Sequence, residues 1–192
     1  LWMQLLSVQV HGYARVPPTR PNLHELTGAA ADMESIIGDI RDLDLLQATF
    51  DRVQPEIVFH LAAQPNVQIA YADPVETSST NMMGTVNVLE CARRTPSVRS
   101  VVVVTSDKCY TNHEWHWAYR EKSQLGGRDP YAASKSCAEL IVHSYRESYF
   151  NSEASDKTAA LLASVRAGNV IGGGDWAPHR LVPDIISALR ED

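Results

Sequence analysis

The sequence predicts an α/β fold, a doubly wound parallel sheet, and three of its features carry that expectation. Short β-branched runs alternate with longer stretches whose apolar residues recur at helical spacing, the pattern of successive βα units. Val101-Val102-Val103-Val104 is apolar at every position, as a central parallel strand covered on both faces is. Polar clusters follow the apolar runs directly: Gly38-Asp39, Ala62-Ala63-Gln64, Ser106-Asp107-Lys108 and Gly168-Asn169. Ligands of open parallel sheets sit beyond the carboxyl ends of the strands, where these clusters fall.

In chain order, the apolar opening Leu1 to Leu6 has no capping residue before it and reads as a helix entered part-way. It is too short for a membrane span and lacks the basic flank of a signal peptide. Val8 to Tyr13 is a strand. A connection rich in proline, with Pro17, Pro18 and Pro21, runs from Arg15 to Glu34 and exceeds the usual loop length. A short strand near Ser35 to Ile37 follows, then a helix from Asp42 to Val53 with Leu43, Leu46 and Phe50 as its apolar positions. Ile57 to His60 is a strand, Val75 to Arg94 a helix around Val86, Leu89 and Cys91, and Ser100 to Thr105 the Val-rich strand. The connection from Cys109 to Pro130, which carries Trp115 and Trp117, is again long enough to suggest function. Tyr131 to Phe150, with Leu140, Ile141 and Tyr145, is a helix, and Ala159 to Arg166 the last strand.

Composition narrows the function classes. At 192 residues, 44% hydrophobic and 21% charged, the chain can bury one substantial core, so disordered and fibrous classes drop out. A formal charge of -6 argues against a polyanion-binding surface, and no nucleic-acid or membrane partner is expected. Three cysteines, Cys91, Cys109 and Cys137, form no CxxC pair and suit a reducing, cytoplasmic setting.

Tyr131 and Lys135 stand at i and i+4, on one face of their helix, so an ammonium can lie near a phenol and favour the phenolate. Ser106, at a strand end, can hold the same substrate oxygen, which makes these three a redox centre with its own base. Asp107 and Lys108 are then two further proton-transfer groups that a simple alcohol oxidation does not need. Asp39 and Ile40 follow a strand, where the carboxylate can accept from an adenine amino group; the plain alternative is a helix-start acid, with Asp42 as the cap. Ala62 and Ala63 are small enough for a flat ring to approach the backbone, and tight helix packing would ask for the same residues. The run Gly168 to Asp175 can cradle phosphates through backbone N–H groups, although it lacks the Lys-Ser/Thr of a P-loop. Arg180 offers a donor fork for a diphosphate. His113 and His116 are spaced as a metal pair, but no second cluster of ligands accompanies them, and no metal is expected. Trp115, Trp117 and Trp176 are candidates for a sugar or base pocket.

These motifs resemble the extended short-chain dehydrogenase/reductase superfamily, in its NAD-dependent epimerase/dehydratase branch. Within that branch they are most similar to the CDP-glucose 4,6-dehydratase family. The resemblance rests on Pro55 to Pro65, Pro74 to Thr77, Thr80 to Thr85, Thr105 to Tyr110, Asp129-Pro130-Tyr131 and Arg166 to Trp176, and so runs over nearly the whole chain. Lys108, where most sugar-nucleotide dehydratases carry Glu, and the Gly172-Gly173-Gly174-Asp175-Trp176 run carry the narrower likeness. It implies a lyase with Tyr131, Lys135, Ser106, Asp107 and Lys108 as catalytic residues. Asp39, Ile40, Leu61, Ala62, Ala63, Gln64 and Thr80, with Tyr131 and Lys135, would contact NAD, and Ser106, Asn169 and Arg180 the nucleotide-sugar substrate. Asn81 would organise the sheet edge and the proton path.

The same resemblance implies a Rossmann-like domain over residues 1–166, the start of a substrate-binding region over 167–192, and a homodimer through the two long helices. Such proteins open with a strand and a Gly-x-x-Gly-x-x-Gly turn whose helix start holds the cofactor pyrophosphate. This chain is expected to begin after that turn and to stop before most of the C-terminal substrate domain, and so to bind NAD weakly. Arg15 leaves NADP open, because an arginine at that strand end can accommodate a 2′-phosphate. Competing readings are a sugar-nucleotide epimerase, a GDP- or dTDP-sugar dehydratase, and an inactive, truncated Rossmann-like binding module.

Overall fold

The structure is a computed structural model, and it describes residues 6–28, 31, 33–150 and 160–191. The expected opening helix at Leu1 to Leu6 lies almost wholly outside the described residues. The chain divides into two compact units, residues 1–39 with 169–192, and residues 40–168.

In the larger unit, three parallel strands pair in the order β3-β4-β5: β3 (Ile57–His60), β4 (Ser100–Ser106) and β5 (Leu161–Ala167). Ile57 lies opposite Ser100, and Ser100 opposite Leu161. Helix α2 (Leu43–Val53) begins where the Asp42 carboxylate accepts from Leu45 N at 3.0 Å, so Asp42 is indeed the cap. Asn66 caps α3 (Val67–Ala72), and Asp73 caps α4 (Pro74–Ser78) with proline in the first helical turn. The single helix expected over Val75 to Arg94 is a continuous rod of three parts: α4, a π-turn at Ser79–Met83 and α5 (Gly84–Arg94). A Cβ at Gly84 would overlap the Ile40 side chain, so glycine sets how closely the rod approaches residue 40. Helix α6 (Pro130–Ser148) starts at Asp129, whose carboxylate accepts from Ala132 N at 2.9 Å.

The core of this unit gathers Val101 and Val103 of β4 with Leu89 and Cys91 of α5 and Val142 of α6, all fully buried. Val102 and Val104 are only half-buried, so β4 is tightly covered on one face, not on both as its apolar run suggests. Ile57 and Phe59 of β3 are exposed as well.

In the smaller unit, β1 (His11–Ala14) pairs in parallel with β2 (Glu34–Ile37). The sheet expected as one piece is therefore two ladders among the described residues. A short helix, α1 (Leu23–Thr27), lies inside the proline-rich connection, capped by Asn22. Helix α7 (Leu181–Glu191) follows the glycine run. Gly174, at φ +77°, meets the Leu23 backbone so closely that a Cβ would stand 2.8 Å from its Cα. Short helices α1 and α3 and the terminal α7 are elements that the periodicity did not reveal. No helix among the described residues is long and apolar enough to cross a membrane.

Candidate active site

Strand β4 ends in Ser106, and a 3₁₀ turn at Asp107–Cys109 follows at once. The Ser106 hydroxyl accepts from Lys108 N at 3.2 Å and lies 3.3 Å from the Asp107 carboxylate, to which it donates. Ser106 is buried, whereas Asp107 and Lys108 are exposed.

Tyr131 and Lys135 sit in the first turns of α6, which packs on β4 and on the 3₁₀ turn. Ser136 Oγ pins the two together by donating to Cys109 O at 2.8 Å. Lys135 is only 7% exposed, and its Nζ donates to Val104 O at 3.3 Å. Burial lowers its pKa, and the Glu139 carboxylate one turn along α6 works in the opposite direction. Tyr131 is buried as well.

Asn81, inside the π-turn, is the structural hinge of the site. Its carboxamide accepts from Gln64 N at 2.8 Å and donates both to Gln64 O at 3.0 Å and to Ser134 Oγ at 2.9 Å. Ser134 in turn donates to Tyr131 O at 2.7 Å. One side chain thus ties the segment after β3 to the helix turn that carries Tyr131. The Gln64 amide is occupied within the protein, donating to Asn66 O and to Thr77 Oγ1 and accepting from Asn66 N. With its backbone N and O also engaged by Asn81, Gln64 leaves the neighbouring Leu61, Ala62 and Ala63 for a ligand.

Thr80 gives a different signal. It is buried, yet its Oγ1 has no hydrogen-bond partner. A buried polar group left unpaired costs roughly 1–3 kcal/mol. An orphan hydroxyl in a π-turn, a feature frequent at functional sites, fits a polar ligand such as the ribose or phosphate part of a dinucleotide. Of the sequence-predicted residues, Ile40, Leu61 to Gln64, Thr80, Ser106 to Lys108, Tyr131 and Lys135 fall in the larger unit.

Asp39, Asn169 and Arg180 belong to the smaller unit. There the Asp39 carboxylate stands 3.9 Å from Arg15 Nε. Arg180 Nε lies 4.0 Å from the Asp175 carboxylate and makes no hydrogen bond, and Asn169 is exposed in the glycine run.

Sequence reasoning passed over a buried polar network beneath the reacting groups. Glu139, eight residues after Tyr131 and four after Lys135, continues the same helix face, and that spacing is the signal that could have found it. Its carboxylate accepts from Thr105 Oγ1, from Ser164 Oγ at 3.1 Å and from Arg166 at 2.7 Å. Burial alone would push the Glu139 carboxyl up, but the bonds from Arg166, Thr105 and Ser164 outweigh it and hold the pKa below its ordinary value. His60 at the end of β3 was missed too. Burial first, and the Lys135 charge second, bring it down to about 4, so it is neutral at pH 7. Thr85 Oγ1 donates to Asn81 O at 2.7 Å and is left to accept from His60 Nε2 at 3.0 Å, which assigns the proton to Nε2.

A parallel α/β fold with a buried Tyr/Lys pair beside a strand-end serine defines the class of short-chain dehydrogenase/reductase-like proteins. The family model described as GDP-mannose 4,6 dehydratase matches residues 3–155, and the chain belongs to that family. It is 50% identical, over its full length, to the CDP-glucose 4,6-dehydratase of Salmonella typhimurium, of which it covers 54%. It is 31% identical over 157 residues to the human dTDP-D-glucose 4,6-dehydratase, covering 82% of this chain and 41% of that one. Among solved structures, the DesIV double mutant, a dTDP-glucose 4,6-dehydratase from Streptomyces venezuelae with NAD and DAU bound, matches with a TM-score of 0.78. That match has 26% identity and covers 95% of this chain and 53% of the other. The chain thus spans about half or less of the length of these relatives.

Proposed function

We propose that the chain carries the catalytic segments of a CDP-glucose 4,6-dehydratase, an NAD-dependent lyase. The observation that carries this reading is the joining of two segments: the Ser106-Asp107-Lys108 turn is fastened by Ser136 to the helix bearing Tyr131 and Lys135. The 50% identity to a CDP-glucose 4,6-dehydratase supports the choice of substrate.

NAD, when bound, supplies the acceptor for hydride from C4 of the sugar and its return to C6. Ile40, Leu61, Ala62, Ala63 and the orphan hydroxyl of Thr80 would hold it, together with Lys135. Tyr131, as phenolate near the Lys135 ammonium, takes the proton of the 4-hydroxyl, while Ser106 holds the same oxygen. The 4-ketone acidifies the C5 proton, which Lys108 removes once the sugar has covered and desolvated it. Asp107 protonates the departing C6 hydroxyl, and water leaves; Lys108 then returns its proton to C5 as C6 is reduced, and the proton taken up by Tyr131 replaces, through solvent, the one that Asp107 gave. The product is a 4-keto-6-deoxy sugar, with no net oxidation. Asn169 and Arg180 are assigned to the diphosphate. The proposal places the protein in the cytoplasm, in keeping with three free thiols. It also includes a homodimer through the long helices, whose exposed apolar Val75, Met83 and Leu140 suit a partner surface.

The test is turnover of CDP-, dTDP- and GDP-glucose, followed by the ultraviolet absorbance of the 4-keto product. Preference for CDP-glucose is expected; equal rates on all three would remove the substrate assignment. Formation of a C4-epimerised sugar without loss of water would replace the dehydratase by an epimerase.

A further inference from the structure

The polar network under the site reaches further than the reacting groups. From Glu139 it passes to Thr105, the residue before Ser106, and to Arg166 on β5. Arg166 then forks outward, with one nitrogen donating to Tyr110 Oη at 2.9 Å and to Glu121 O at 2.7 Å. Its guanidinium also lies over the Tyr110 ring, 4.9 Å from the centroid. Tyr110 stacks on Tyr119, and Trp115 packs against Tyr119, so the arginine anchors an aromatic cluster. This cluster belongs to the long connection between β4 and α6, which closes at its base: Tyr110 bridges Leu125, Thr111 N donates to Gln124 O, and Gly126 N donates to Cys109 O. At its tip is a cavity of about 470 Å³ lined by Trp115, Trp117, Ala118, Arg120 and Ser123. Only 4% of the Glu139 side chain and 19% of the Arg166 side chain is accessible, so this ion pair is largely desolvated. Removing one member of such a pair leaves the other buried without its counter-charge.

The geometry points to Glu139 and Arg166 as positioning residues that act through others. Glu139 holds the Ser106–Lys108 turn in register with the helix carrying Tyr131 and Lys135. Arg166 extends the same constraint into the 110–125 loop, so that the reacting groups and the aromatic tip are set by one ion pair. Neither residue touches the reacting atoms. The kinetic half of this inference rests on the dehydratase reading; the structural half does not.

The experiment is residue-resolved amide hydrogen exchange on the chain carrying Arg166→Lys, with Glu139→Gln as a second variant and CDP-glucose turnover measured alongside. Lysine keeps the charge but loses the fork whose one nitrogen holds Glu139 while the other reaches Tyr110 and Glu121. Thr111 and Gly126 amides are expected to exchange about tenfold faster or more, while the β4–β5 amides from Val101 to Val104 keep their protection. Turnover is expected to show kcat lowered about 10- to 100-fold, as for a small misplacement of catalytic groups, with KM little changed. A uniform loss of protection across the unit with kcat per folded molecule unchanged would mean a merely structural role, and would overturn the inference. So would unchanged exchange at Thr111 and Gly126 in a folded variant. Should Glu139→Gln fail to fold, Arg166→Lys decides. Should the parent chain turn over no nucleotide sugar, the dehydratase reading falls and the exchange pattern still decides the positioning role.

Discussion

In residues 40–168 the groups assigned to the chemistry are held from several sides: Lys135 by Val104 O, Tyr131's turn by Ser134 and Asn81, and Ser106's turn by Ser136 and Thr105. The residues assigned to the diphosphate, in the smaller unit, have no such support. Asn169 to Gly173 are all exposed, and Arg180 Nε stands 4.0 Å from Asp175 without a hydrogen bond. The contrast separates two physical jobs. Proton transfer needs groups fixed before the substrate arrives, since a misplaced acid or base loses most of its effect. A diphosphate can be gripped by exposed donors that become ordered when the anion binds, at an entropic cost that the charge-assisted bonds offset.

The contrast is broken most directly at Tyr131. Tyr131→Phe removes the phenolic proton acceptor and is expected to lower kcat about 10³-fold or more with KM nearly unchanged. Comparable loss in both constants would mean that Tyr131 binds rather than reacts. A step lower, Asp107→Asn should slow loss of water about 10²-fold or more, while exchange of the C5 proton into solvent continues. Full turnover in Asp107→Asn would show that the exposed carboxylate is only a solvated loop charge.

The buried side of the comparison also carries a pH signature. His60 has a folded pKa of about 4 against 6.5 when free, so the unfolded chain binds more protons between those values. Its contribution is fully present above pH 6.5 and is lost as pH falls through about 4. The whole shift corresponds to roughly 3 kcal/mol of stability. Urea unfolding at pH 7 and pH 4.5 should show most of that loss in the parent chain. His60→Gln should reduce the difference; an equal acid loss in both proteins would assign it elsewhere. The smallest expected effect is at Thr80. Thr80→Val replaces an orphan hydroxyl and should leave stability unchanged or slightly raised, while weakening NAD binding about tenfold. A clear drop in stability would mean that the hydroxyl already has a structural partner.

Much of this division was legible in the residues, and what was not has physical causes. Tyr131, Lys135 and the Ser106 turn could be found because their chemistry needs fixed spacing on a helix face and a strand end. Asp42 as a helix cap was legible as well, since a short carboxylate before an apolar-periodic run has few other uses. Glu139 and Arg166 were not, because an ion pair between a helix and a strand leaves no local pattern, and both residues read alone as surface charges. The π-turn at Ser79–Met83 escaped for a similar reason: one extra residue per turn does not disturb apolar periodicity enough to be seen. Full burial of β4 was over-read from its four valines, as apolar identity reports which residues can be buried and not which faces are covered.

In the proposed reaction one site removes hydrogen from C4, eliminates water across C5 and C6, and restores the hydrogen at C6. The decisive measurement is the fate of deuterium placed at C4 of CDP-glucose, read in the product by NMR. The expected product is a 4-keto-6-deoxy sugar with the label at C6 of the same molecule. Label lost to solvent, or retained at C4 in an epimerised sugar, would contradict it.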